Sequence, residues 1–249
     1  MLIVNDQALT TGQIVRYLQN AGKLQPFIVD VMRQYILDTT FRAHPELQVS
    51  AEGLQQAIMD FRLQRGLGEQ PLFDQWLVSS GINYETFQSQ MIGYLMQENL
   101  KTNLATPHLE DYFKQRKPVY DQVVLSRIVV QEKEVADSIF KKIVEDHSSF
   151  EQLAKEFSIS NDKNFNGMMG AISFATLPEA VKEAIEKGQI GDIIGPFEIE
   201  GYWSIFRFEQ LISVSLDDPA IKARVQNEIF DRWIGEEMQK LQVKLEVQG

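Results

Sequence analysis

Cysteine is absent from this chain of 249 residues. Disulfides, thiolate nucleophiles and cysteine-based zinc sites are therefore excluded, and nothing marks a redox compartment. Histidine is almost as scarce: His44, His108 and His147 are scattered and match no metal-ligand spacing. No apolar run approaches the roughly 20 residues that a membrane span needs. The first apolar run is only Leu2-Ile3-Val4 and no basic segment precedes it. No secretory signal peptide is expected, and the expected location is cytoplasmic. Positive charge is in deficit. The net charge is −11, and residues 119–213 alone carry 16 acidic against 9 basic groups. A phosphate backbone needs a basic stripe, so nucleic acid is not an expected partner. The acidity reads as a solubility device. Glycine-rich phosphate loops, a Gly-x-Ser-x-Gly elbow and a dinucleotide fingerprint are all missing, so no cofactor or metal is expected.

What remains is ordinary globular composition, with 44% hydrophobic and 24% charged residues, which argues against disorder. The first segment reads as helical. Thr10 or Thr11 caps a helix to about Asn20, and Gly22 ends it. Pro26 lies in the first turn of a longer helix. Ile28, Val31, Met32, Tyr35 and Ile36 recur there at helical spacing, and His44-Pro45 closes it. Ser50-Ala51-Glu52 opens a third helix with Leu54, Ile58, Phe61 and Leu63, stopped near Gly66. A short fourth helix, about Glu69–Ser80, carries Leu72, Phe73, Trp76 and Leu77. Asn83 caps a fifth, with Phe87, Met91, Leu95 and Leu100 inward. Thr106-Pro107 and Lys117-Pro118 bracket a short helix around Leu109–Gln115, and the restriction on residues before proline places the domain junction at about 118. The unit from Val49 to about Ala105, with Gly81-Ile82-Asn83-Tyr84-Glu85-Thr86-Phe87 leading into its long helix, resembles the N-terminal chaperone module of SurA-type foldases. A generic all-α domain would share these periodicities.

The segment from Val123 to Leu211 is the most informative. Val123–Val130 is a β-branched run fit for a central strand. An amphipathic stretch, Glu134–Glu145, follows, then Phe150-Glu151-Gln152-Leu153-Ala154-Lys155-Glu156-Phe157-Ser158. Gly167-Met168-Met169-Gly170 opens another strand. Leu177-Pro178-Glu179 heads a helix stopped by Gly188. Gly191-Asp192-Ile193-Ile194-Gly195-Pro196-Phe197 and Tyr202–Leu211 close as strands around a Glu200-Gly201 turn. This order, β-α-α-β-α-β-β, resembles a parvulin-type (PpiC, rotamase) peptidyl-prolyl isomerase domain. The fold class expected is α+β: a parvulin-like domain (119–213) beside a mostly helical domain (1–118) completed by a C-terminal helix (214–249).

Prolyl isomerisation needs neither nucleophile nor metal. Its barrier is amide resonance. A catalyst holds the proline ring in an apolar pocket, removes water and favours the twisted amide. The resemblance places Arg127 where the family's Ser-His-Ile-Leu motif has its first histidine. It places Ser160 near the family's Asp/Cys position and Trp203 at the second histidine. Leu177 falls at or next to the pocket methionine and Ala180 at the pocket phenylalanine, with Met169 or Phe174 available to refill the pocket. Arg127, Ser160 and Trp203 are thus the candidate catalytic positions, and Met169, Phe174, Leu177 and Ala180 the candidate substrate-binding ones. Each has a plainer alternative. Arg127 can pair with an acidic neighbour, Trp203 can pack as a core aromatic, and Ser160 can be a turn residue in the loop Ile159–Asn166, which reads as mobile.

Leu216-Asp217-Asp218-Pro219 opens a last helix whose stripe of Ile221, Val225, Ile229, Trp233, Met238, Leu241 and Leu245 must be buried. In SurA-like and PrsA-like proteins a helix after the isomerase domain completes the N-terminal helical module, and the same is expected here. A homodimer through this helix is the alternative; its mixed polar face argues against a membrane surface. The function expected is an isomerase-like foldase that binds proline-containing or unfolded polypeptide. The alternatives are a non-catalytic chaperone or peptide-docking protein, or a partner in peptide maturation or export.

Overall fold

Side-chain caps set most helix starts in the first part of the computed structural model, which describes residues 2–246. A hairpin of β1 (Leu2–Val4) and β2 (Gln7–Leu9) comes first, turning at Asn5 and Asp6, both at positive φ. That pair of turn-forming residues was its only signal in the sequence. Thr10 then opens α1 (Thr11–Asn20) with a capping box: its Oγ1 accepts from the Gln13 N–H at 3.2 Å, and Gln13 Oε1 accepts from the Thr10 N–H at 2.9 Å. Next come α2 (Leu24–Ala43), α3 (Ala51–Gln64), α4 (Gln70–Ser79) and α5 (Tyr84–Ala105). Ser50 caps α3 through the Gly53 N–H, and Asn83 caps α5 through the Thr86 N–H. Each such cap is worth about 1 kcal/mol.

The chain continues through α6 (Leu109–Tyr120), β3 (Gln122–Val130), α7 (Lys133–Val144), α8 (Phe150–Phe157), β4 (Met168–Ser173), α9 (Glu179–Lys187), β5 (Ile193–Ile199), β6 (Tyr202–Ile212) and α10 (Pro219–Lys240). It divides into two compact units. One is Met1–Leu109 with Ala223–Gly249, the other Glu110–Lys222. The expected junction at 118 moves to the start of α6, because Lys117-Pro118 does not break that helix. Pro118 falls in the last turn, where it forfeits a single hydrogen bond. Beyond it the Asp121 N–H still donates to the Lys117 carbonyl, and the Tyr120 ring stacks on Phe113 at 5.9 Å.

The helical unit has two cores. One joins α3, α4 and α5 through Ile58, Phe73, Leu77 and Phe87, with the Phe73 and Phe87 rings edge-on at 5.2 Å. The other gathers Ile36 and Leu37 of α2, Leu47, Leu100 of α5, and Phe230 and Ile234 of α10. Several apolar residues that recur at helical spacing lie at the surface: Val31, Tyr35, Leu63 and Leu72 are all exposed. Helix α2 meets this core through Ile36 and Leu37; of the apolar positions in its first half, Phe27, Val29 and Val31 are exposed and Leu24, Ile28 and Met32 half-buried. On α10 the buried stripe is Val225, Ile229, Phe230 and Ile234. Phe230 and Ile234 of that stripe pack into the core with α2 and α5. Truncating Phe230, 1% exposed, should cost about 3–5 kcal/mol. A urea titration of Phe230→Ala followed by Trp233 fluorescence, whose ring lies 6.0 Å away, should show the corresponding drop in midpoint.

The second unit is built on an antiparallel sheet in the order β4-β3-β6-β5. The β-α-α-β-α-β-β order read from the sequence is the order found. Alternation along β3 divides its residues between two cores. Ile128 and Val130, with Ile205 of β6, pack under α7 and α8. Val123 and Leu125, with Phe206 and Phe208, pack under α9. A charged chain fastens α8 to the sheet. The buried Ser126 hydroxyl donates to Glu209, which also accepts from Arg207; Arg207 in turn pairs with Glu151 in the first turn of α8 at 2.8 Å. Hydrogen bonds from its own backbone N–H and from the Ser149 hydroxyl, with Arg207 added, pull the Glu151 carboxyl down to about 2. A lowered carboxyl contributes stability above its unfolded value, and that contribution is lost as pH falls through its folded value. Glu151→Gln should therefore flatten the fall in melting temperature between pH 4.5 and about 2, measured by thermal scans across that window.

Candidate functional site

Arg127 lies in the middle of β3 and points to the α9 side of the sheet, because its cross-strand neighbour on β6 is Phe206. The loop after α8 is brought to it by a series of backbone ties. The Ser158 hydroxyl accepts from the N–H groups of Val129 and Ser160, and the Ile159 N–H donates to the Val129 carbonyl. A 3-10 turn follows over Asn161–Phe165. The Gly167 N–H closes it onto the Asp162 carbonyl at 2.9 Å, and the Gly167 carbonyl accepts from the Arg127 N–H at 2.7 Å. The loop expected to be mobile is thus tied at both ends to β3 and across its own turn.

Side chains complete the tie. Arg127 Nε donates to Asp162 Oδ2 at 2.6 Å, and Arg127 Nη2 donates to the Ser160 hydroxyl at 3.0 Å. Asp162 is largely buried, at 12% side-chain exposure against 36% for Arg127. Its Oδ1 is buried and carries no hydrogen bond among the described residues, so its anchoring falls on Oδ2 and the guanidinium. Such a charge-assisted bond is worth about 1.5–3 kcal/mol. The other N–H groups of the Arg127 fork have no hydrogen-bond acceptor among the described residues. A cleft of about 390 Å³ opens beside them, lined by Arg127, Ser160, Asp162, Phe165, Met168 and Met169. Met169 enters it through a register shift: Leu125 pairs with Gly170 and Ser126 with Met168, which leaves Met169 as the extra residue of a bulge. Bulges re-aim side chains in this way.

The seven positions singled out from the sequence separate into groups. Arg127, Ser160 and Met169 meet at the cleft. Phe174 and Leu177, each 7% exposed, are used up in the core under α9 and offer a ligand little surface. Ala180 is exposed on the outside of α9 and does not reach the cleft. Trp203 is a correction. It pairs with Val130 across the sheet, packs against the core under α7 and α8, and carries the Lys133 ammonium over its ring at 5.3 Å. It therefore occupies the face opposite Arg127, held there by strand alternation, and serves as a core aromatic. The residue of that motif on the Arg127 face is the buried Ser204, one position along; a one-residue offset on a strand changes the face. Sequence reasoning also missed Asp162, Phe165 and Met168. The signal for Asp162 was present, since a partly buried arginine calls for a carboxylate and the loop contains only one.

Gly167 holds this arrangement together. It adopts φ +86°, and a Cβ placed on it would lie 2.6 Å from the Arg127 carbonyl and 3.3 Å from the Phe150 ring. Gly167→Ala should cost about 1–3 kcal/mol and loosen the cleft. A urea titration should give a lowered midpoint, and the Arg127 side-chain Nε resonance should shift as its bond to Asp162 lengthens.

The helical unit has a separate concavity, about 540 Å³, lined by Phe61, Trp76, Phe87, Met91, Tyr94 and Leu95.

Residues 128–210 match the model of the rotamase family, the PPIC-type PPIASE domain. No curated protein matches the chain. Among solved structures it is similar to the foldase protein PrsA from Streptococcus pneumoniae, at 17% identity over 99% of this chain and 96% of that one, with a TM-score of 0.41. It is similar to the peptidylprolyl isomerase PrsA from Bacillus cereus at 15% identity, over 98% of this chain and 93% of that one, with a TM-score of 0.46. The parvulin NmPin of Nitrosopumilus maritimus is 25% identical over 36% of this chain and 97% of its own, with a TM-score of 0.32. The family match starts in the last three residues of β3, one position after Arg127, and runs through the helices, β4 and β5 into β6, so within the second unit the stretch that carries Ser160, Asp162, Phe165, Met168 and Met169 is similar to a PPIC-type PPIase domain.

Proposed function

We propose that the chain is a parvulin-type foldase that binds proline-containing, extended polypeptide at the Arg127–Met169 cleft and eases rotation about the prolyl bond. The observation that carries this reading is the pairing of two chemistries in one concavity. Met168, Met169 and Phe165 supply an apolar, adaptable seat for a proline ring, and Arg127 stands at its edge with uncommitted N–H donors. In the planar amide the nitrogen lone pair is delocalised into the carbonyl. In the twisted amide it is localised and can accept a hydrogen bond. A fixed donor that engages only this form stabilises the transition state and not the ground state. The Asp162 carboxylate and the Ser160 hydroxyl fix the plane of the guanidinium and so pre-aim that donor. Arginine can in this way serve where the family resemblance led to a histidine.

The concavity of the helical unit fits the same role. Its aromatic and aliphatic lining suits apolar segments of unfolded chains, which is the chemistry of a holding chaperone. One observation favours a second reading, binding without isomerisation. Phe174 and Leu177 are buried in the core and Ala180 faces solvent, so the proline seat has fewer walls than the resemblance implied.

Exchange spectroscopy on Xaa-Pro peptides, with several different Xaa residues, separates these readings. The foldase reading expects faster cis–trans exchange with the intact chain. Arg127→Lys keeps the charge but loses the fork, and should lower kcat about ten- to a hundredfold. Met169→Ala should act mainly on KM. Peptide binding without faster exchange would leave the docking reading, and absence of binding would end both.

A further inference from the structure

The sheet of the second unit has two edges, and they are built differently. Edge strand β5 carries Pro196 in its middle, which has no N–H to offer, and the charged Glu198. Both are devices that stop another strand from joining. Edge strand β4 reads Met168-Met169-Gly170-Ala171-Ile172-Ser173 and has neither proline nor charge. Its ladder runs to β3 on one side only. On the other side the backbone of Met168–Ser173 meets no backbone donor or acceptor among the described residues. Past the bulge at Met169 this edge carries no charge and no proline, and such an edge is a template for an extended chain.

This edge is continuous with the cleft, because Met168 and Met169 belong to both. We propose that β4 is the backbone-recognition element of the site: an extended, uncharged polypeptide segment adds to it as a further antiparallel or parallel strand, which delivers the adjoining proline to Arg127 and Met169. The inference rests on the foldase reading above and gives it a substrate class, extended segments with free backbone N–H groups flanking the proline. Main-chain hydrogen bonds supply affinity without reading side chains, which is what a protein acting on many unfolded sequences requires. Along an added strand only alternate residues direct their N–H toward β4. Recognition should therefore depend on the parity of backbone donors in the peptide.

The test uses the full chain and a short peptide of valine and threonine around one Phe-Pro pair. Two further peptides carry N-methyl groups on alternate residues, one set of each parity. One set should lose affinity about tenfold or more while the other stays within about twofold of the parent. Amide hydrogen exchange should slow in Met168–Ser173 when the parent peptide binds, and stay unchanged in Ile193–Ile199. If both methylated sets bind as well as the parent and β4 exchange does not change, the edge is not used; that result overturns the inference and leaves the cleft reading standing. If the parent peptide does not bind at all, both fall together.

Discussion

The ion pair between Arg127 and Asp162 is the interaction on which the site depends. It joins the centre of a core strand to a short turn that would otherwise have only backbone ties to hold it. By fixing that turn it sets one wall of the cleft, places Ser160 against the guanidinium and lets Phe165 project at the rim, where it is 72% exposed. The rest of the unit supports this junction. Gly167 allows the loop to pass within hydrogen-bonding distance of β3, and the bulge at Met169 turns an apolar side chain into the space so formed.

The chemistry asked of such a site is modest, and the composition is consistent with that. Rotation about a prolyl bond requires no electron pair from the protein and no metal. It requires a dry seat for a ring and a donor that is better used by the twisted amide than by the planar one. An arginine held by a carboxylate is a rigid donor, whereas a free surface arginine would lose much of its advantage to side-chain entropy. The two units offer different chemistry. One offers an aromatic-lined concavity suited to apolar segments, the other a small polar–apolar cleft suited to a single bond.

Much of the fold was legible because it is written in periodicity and caps. Thr10, Ser50 and Asn83 each begin a helix through a side-chain oxygen, and β3 to β6 follow the order read from their β-branched and glycine-bounded runs. The site was legible only in part. Arg127 and Ser160, singled out by their places in the motif, and Met169, singled out as a residue to refill the pocket, lie at one cleft. Trp203 was misplaced because a motif fixes position along a strand better than it fixes the face, and one residue decides the face. Val31 and Tyr35 recur at helical spacing and are nevertheless exposed, since spacing does not say where along a helix its neighbours end. Asp162 is the one carboxylate of its loop, but its partner is 35 positions away in sequence, and the fold is what joins the two.

The central claim, that this ion pair shapes the surface on which proline-containing peptide binds, is tested most directly by a double-mutant cycle on peptide affinity. Titration calorimetry would compare the parent chain with Arg127→Gln, Asp162→Asn and the two combined. If the pair acts as a unit, each single change weakens binding, the double change weakens it no further than the worse single, and the coupling is about 1.5–3 kcal/mol. Losses that simply add would show that the two residues contribute separately, and would contradict the account.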